Sequence, residues 1–201
     1  MKPTANTSKS SDARPRGSGR GSSLVLIGSM GSGKSGVGRR VAKLMNLAFF
    51  DLDDLIVDKA GMSILEIFEK EDEEGFRRRE SQALRAILPK ERCVLATGGG
   101  TVLREENWKV LRLLGWVVCL TARPEVLFER ASRDLNRPLL AGDDPFGSLK
   151  KILAVRAPHY AKADFALDTS ECKTADEAAM SLAALYQEWL EKNFAENRED
   201  Q

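Results

Sequence analysis

Nothing in this sequence ties it to a membrane, an oxidising compartment or a polyanion. The longest apolar runs, such as Leu24–Ile27 and Trp116–Leu120, are of strand length, far below the ~20 residues a membrane-spanning helix needs. The first residues lack the apolar core of a secretory signal. Cysteines number only three, Cys93, Cys119 and Cys172. They show no metal-ligand or redox spacing, and two lie in apolar segments where a thiol behaves as a small hydrophobe. Net charge is +1, so no global field draws the chain to nucleic acid or an anionic membrane. Internal repeats are absent. A reducing, cytoplasmic setting is expected, with no nucleic-acid or membrane partner, and the chain is expected to be a monomer.

What is present suits one globular domain. The chain has 201 residues, 42% apolar and 30% charged, enough for an ordinary core. Residues 1–22 stand apart: five basic residues (Lys2, Lys9, Arg14, Arg16, Arg20) face one acid, Asp12, with almost nothing to bury. They read as a disordered basic leader. Residues 23–201 alternate short β-like runs with helical stretches, which predicts a three-layer α/β domain around a parallel sheet. Strands are expected at Ser23–Ile27, Ala48–Asp51, Cys93–Ala96, Trp116–Leu120 and Ala163–Leu167. Helices are expected at Lys34–Met45, Ile64–Glu69, Glu74–Leu88, Glu105–Leu114, Pro124–Ser132, Gly147–Val155 and Ala175–Phe194. A polar stretch at about 133–146, punctuated by Pro138, Gly142 and Pro145, reads as a mobile lid.

The strand-like run Leu24–Ile27 leads into Gly28-Ser29-Met30-Gly31-Ser32-Gly33-Lys34-Ser35, a complete G-x-x-x-x-G-K-S sequence between a strand and a helix. Glycines let the backbone curl so that successive N–H groups face phosphate oxygens, and the following helix adds its positive end. Lys34 can reach the β- and γ-phosphates, and the Ser35 hydroxyl can ligate magnesium. ATP with Mg2+ is the expected ligand.

Three further sets of residues carry candidate chemistry, and two of them, the acids and the glycine run, fall where ligands of parallel sheets bind, beyond the carboxyl ends of strands. Asp51 and Asp53 flank Leu52 at the end of the second strand; one acid near magnesium and one near an attacking hydroxyl would suit phosphoryl transfer. The alternative is that one of them caps the following helix, a task for which Asp54 reads as better placed. In the helix from Glu74, Glu80 falls within the apolar stripe and needs a partner; Arg77, three residues earlier, can supply it. Arg78 points to solvent. Arg137 and Arg156 occur beside prolines, where a surface ion pair and a two-pronged grip on carboxylate or phosphate are both open. Finally, Gly98-Gly99-Gly100 follows an apolar strand, a run suited to bringing backbone N–H groups against a ligand.

Together these motifs resemble shikimate kinase, a family of small nucleoside-monophosphate-kinase-like P-loop enzymes. The matching pieces are GSMGSGKS, Asp51-Leu52-Asp53, GFRRRE (75–80), ATGGG (96–100), NRPLL (136–140) and RAPHY (156–160), in the family's order and approximate spacing from Leu24 to about Thr169. The resemblance implies a P-loop NTPase fold with sheet order 2-3-1-4-5 and a mobile lid, and ATP-dependent phosphorylation of the 3-hydroxyl of shikimate in aromatic amino-acid biosynthesis. It implies that Gly31, Ser32, Gly33, Lys34, Ser35 and Gly36 bind ATP together with Arg130, near the adenine, and Arg137, which swings from the lid to the transferring phosphate. Asp53 would bind the shikimate hydroxyls and act as base, with Lys34 and Arg137 completing the catalytic set. Asp51 would support magnesium beside Ser35. Arg77 and Arg156 would clamp the substrate carboxylate, with Gly99 and Gly100 in contact with it. Two positions depart from the pattern: Gly36, where many members carry a hydroxyl, and His159, where an apolar residue is common.

Overall fold

The computed structural model describes residues 20–88, 92–133 and 143–194. Residues 1–19 of the leader, most of the expected lid and Arg137 therefore lie outside the described residues. In chain order the elements are β1 (Ser23–Ile27), α1 (Lys34–Leu44), β2 (Ala48–Asp51), α2 (Leu52–Ala60), α3 (Ile64–Arg85), β3 (Cys93–Ala96), a short 3-10 turn (Thr101–Leu103), α4 (Glu105–Leu114), β4 (Gly115–Thr121), α5 (Pro124–Ser132), α6 (Pro145–Tyr160), β5 (Phe165–Asp168) and α7 (Ala175–Phe194).

The five strands form one parallel sheet in the order β2-β3-β1-β4-β5, as the resemblance implied. Alternation along the central strand makes the layers. Val25 and Ile27 face a cluster with Leu52 and Ile56 of α2, Phe76 and Leu84 of α3, and Trp108 and Leu111 of α4. Leu24 and Leu26 face the other way, onto Val37 and Val41 of α1 and Leu182 and Tyr186 of α7. Each such buried aliphatic side chain is worth about 1.5–3 kcal/mol, so β1 is held from both faces and its carboxyl end is a firm base for the loop that follows. A smaller cluster of Met30, Leu127, Ala131 and Leu149 ties that loop to α5 and α6.

Several boundaries differ from expectation, each for a local reason. The sequence allows a capped helix after β2 without setting its range; helix α2 begins directly at the end of β2, where Asp51, not Asp54, caps it, accepting from the Asp53 N–H. Asp53 therefore stands on the first turn of a helix rather than on a strand. The two helices expected around residues 64–88 are joined as α3, with a kink at Asp72, whose φ of 60° and ψ of −172° are not helical. Helix α6 runs through Pro158 to Tyr160 instead of stopping at Val155. The last residues of the expected leader, Arg20–Ser22, belong to the fold: Arg20 pairs with Asp164, the Gly21 N–H reaches the Leu113 carbonyl, and Tyr186 donates to the Ser22 carbonyl.

Candidate active site

The loop after β1 has the form its glycines allow. Gly31 and Gly33 hold φ of 74° and 86°, left-handed values that a side chain would oppose. The Lys34 ammonium reaches the Gly28 and Ser29 carbonyls at 2.9 Å each, and Ser32 Oγ closes the loop onto the Ser29 carbonyl at 2.8 Å. The N-terminus of α1 opens at Gly33 and adds its positive end to the curl. Gly36, on the first turn, is open on its side: of neighbouring atoms, only Arg40 Nη1 would lie within 4 Å of a Cβ there, at 3.8 Å.

Asp51 serves two neighbours at once. Its Oδ1 accepts from the Asp53 N–H at 3.1 Å and its Oδ2 accepts from Ser35 Oγ at 2.6 Å. Strand end, phosphate loop and helix start are thus tied through one carboxylate. Ser35 Oγ and Asp51 Oδ2 form a pair of hard oxygen donors, the chemistry magnesium prefers.

Asp53 lies deeper. Its Oδ1 is buried with no hydrogen-bond partner, an expensive arrangement for a carboxylate. Burial first, then the Asp51 and Glu80 charges, push its carboxyl from 3.8 up to about 6, against the opposing pull of Lys34. A group so placed stays ionised near neutral pH and is far more basic than an ordinary aspartate.

The glycine run packs this carboxylate against the arginines. A Cβ on Gly98 would stand 3.2 Å from Asp53 Oδ1 and 2.8 Å from Glu80 Oε1; one on Gly99 would meet Arg156 Nη1 at 2.9 Å; one on Gly100 would collide with the Arg77 guanidinium, 2.6 Å from Cζ. Close approach, rather than turn geometry, is what these positions require. Arg77 donates from Nη1 to Glu80 Oε2 at 2.9 Å and from Nη2 to Glu73 at 3.3 Å. Glu80 has no solvent exposure, and Thr101 Oγ1 donates to its second oxygen at 2.6 Å. Arg78 is 57% exposed, as expected of a surface charge. Arg156 is buried at the end of α6, where Tyr160 donates to the Gly99 carbonyl at 2.8 Å.

The structure therefore brings together Gly31–Ser35, Asp51, Asp53, Arg77, Gly98–Gly100 and Arg156 along the carboxyl ends of β1, β2 and β3. Arg130 is engaged elsewhere, on the connection between β5 and α7: Nη1 donates to Thr169 Oγ1 at 2.9 Å, and Nη2 to the Thr169 and Cys172 carbonyls at 2.9 and 3.3 Å. Sequence reasoning assigned nothing to Thr101 or Tyr160. The i, i+4 spacing of Arg156 and Tyr160 was the available signal for the second; Thr101 had none beyond following the glycine run.

Comparison with known proteins bears on the family and the fold. The family model described as shikimate kinase matches residues 30–187. A shikimate kinase of Thermodesulfovibrio yellowstonii is 46% identical over 164 residues, 82% of this chain and 94% of that protein. The solved structure of shikimate kinase from Acinetobacter baumannii in complex with shikimate superposes with a TM-score of 0.78 at 38% identity, covering 83% of this chain and 93% of that one. A gluconokinase from Sinorhizobium meliloti shares the fold at 20% identity and a TM-score of 0.56, covering 87% of this chain and 96% of its own.

Proposed function

The chain belongs to the shikimate kinase family, and on that footing we propose that this site transfers the γ-phosphoryl group of ATP to the 3-hydroxyl of shikimate, giving shikimate 3-phosphate and ADP. The observation that carries the acceptor is the convergence of Arg77 and Arg156 on Gly99 and Gly100, one step along the same run from buried Asp53. Two guanidiniums suit one carboxylate, and a nearby aspartate suits a hydroxyl of the same acceptor.

In this reading the loop amides of Gly31–Gly36 and Lys34 hold the β- and γ-phosphates. Arg77 and Arg156 take the shikimate carboxylate and turn the 3-hydroxyl toward the loop. Asp53 orients that hydroxyl and accepts its proton; a carboxyl near 6 is basic enough to do so and still ionised at neutral pH. Ser35 and Asp51 would hold magnesium, which would offset the negative charge that develops on the phosphate during transfer. From the β5–α7 connection that it holds, Arg130 would border the adenine, and Arg137 would complete the phosphate grip. We propose a cytoplasmic monomer; no helix among the described residues is long and apolar enough to cross a membrane.

A coupled assay of ADP formation with shikimate, quinate, gluconate and AMP tests the assignment. Turnover is expected to depend on shikimate; equal turnover on gluconate or AMP with none on shikimate contradicts it.

A further inference from the structure

Helix α6 has a weak last turn. Pro158 lacks the N–H that would reach the Ala154 carbonyl, and the turn with the missing bond carries both Arg156 and Tyr160. Arg156 is 9% exposed, and its guanidinium lies within hydrogen-bonding reach of the Tyr160 hydroxyl. Tyr160, four residues on, ties this turn to the glycine run: its hydroxyl donates to the Gly99 carbonyl at 2.8 Å. Burial raises the Tyr160 hydroxyl above the ordinary phenol range, so it remains a donor at any working pH.

The same bond fixes a second group. In a planar trans peptide the carbonyl and the following N–H point in opposite directions. With the Gly99 carbonyl held by Tyr160, the Gly100 N–H faces away from that ring, on the peptide whose Gly100 end is covered by Arg77 and whose Gly99 end is covered by Arg156. A glycine-glycine peptide has little of its own to resist rotation. Gly99 also packs toward the Gly28 carbonyl, 3.4 Å from where its Cβ would be, and Lys34 donates to that same carbonyl.

We propose that Tyr160 is a positioning residue for the acceptor: its hydroxyl locks the Gly99–Gly100 peptide and the Pro158-weakened turn that carries Arg156, so that both arginines and the Gly100 N–H are in place before the substrate carboxylate arrives. The proposal rests on Arg77 and Arg156 being the carboxylate grip. It assigns to Tyr160 no contact with the reacting atoms.

Steady-state kinetics of Tyr160→Phe and Arg156→Ala, with thermal unfolding of each, test it. Losing one neutral hydrogen bond is worth about fivefold, so Tyr160→Phe is expected to raise KM for shikimate by about that factor, with kcat and KM for ATP nearly unchanged and Tm lowered by only about 2–4 °C. If Arg156→Ala raises the shikimate KM and Tyr160→Phe does not, the proposal is overturned and the acceptor reading stands. A parallel rise of both KM values with a larger fall in Tm also overturns it, since that is the mark of a merely structural tyrosine. If Arg156→Ala itself leaves the shikimate KM unchanged, the acceptor reading falls and the proposal with it.

Discussion

At the scale of single residues, the site is a set of charges placed where they are costly. Asp53 is the clearest case. Its carboxyl is raised from 3.8 to about 6, so the folded protein binds a proton more tightly there than the unfolded chain does. Stability from this group is therefore highest below about pH 4, falls as pH rises through 4 to 6, and stays reduced above that. Asp53→Asn removes the charge, and at pH 7.5 it is expected to stabilise the fold by on the order of 2–3 kcal/mol, an advantage that vanishes toward pH 4. The same substitution is expected to lower kcat by about 10²–10⁴-fold. Denaturant unfolding at the two pH values, alongside kinetics, checks both; unchanged kcat removes Asp53 from the base role.

Arg77 differs because its charge is compensated. Glu80 is fully buried and depends on Arg77 and Thr101 for its partners. Arg77→Ala is expected to raise KM for shikimate much more than KM for ATP, and also to destabilise the fold by about 3 kcal/mol, because breaking a buried pair from one side leaves the other charge stranded. Kinetics and thermal unfolding read the two effects separately. The pairing of Arg77 with Glu80 was legible in the sequence, since a carboxylate inside an apolar stripe demands a partner one turn away. The assignment of the cap was not: Asp51, Asp53 and Asp54 are chemically alike, and only the immediate start of α2 after β2 decides that Asp51 takes the role.

At the scale of elements, the surprises are junctions. The kink in α3 places Asp72 in a conformation that ordinarily belongs to glycine and that costs on the order of 1–3 kcal/mol. Its side chain offsets part of this by accepting from the Gly75 N–H at 3.0 Å. Replacing such a cap by glycine loses only a few tenths of a kcal/mol, so Asp72→Gly is expected to gain about 1 kcal/mol in denaturant unfolding; a loss would show that the cap outweighs the strain. The first turn of α1 offers the opposite repair. With room beside Gly36, Gly36→Ser is expected to raise helix stability by roughly 0.5 kcal/mol and to lower KM for ATP by adding a hydroxyl beside the phosphates. Strands and helices with strong period, such as β1, β3, α4 and α5, were legible residue by residue. Helix α2 was not, because its Leu52–Ala60 span is short and follows a strand without a break, and α6 was cut short because Pro158 signals an end that tertiary contacts override.

At the scale of the whole molecule, the sheet order brings three sequence-distant loops to one edge. The phosphate loop follows β1, the Asp51–Asp53 corner follows β2 and the glycine run follows β3, and these strands are neighbours in the order β2-β3-β1. Donor phosphates and acceptor hydroxyl are thereby set side by side by topology rather than by any single motif. The phosphate loop was readable from sequence by itself. The pieces of the acceptor half could be singled out in the sequence, but their joining into one site was readable only through resemblance, because contacts such as Arg156 against Gly99 join residues 57 apart and leave no local periodicity. The most direct test of the central claim is therefore the product. Phosphorus–proton correlation NMR of the complete reaction with ATP and shikimate is expected to show the new phosphate ester coupled to the proton on C3 of the shikimate ring. A phosphate on another carbon, or ADP formed without any shikimate ester, contradicts the assignment.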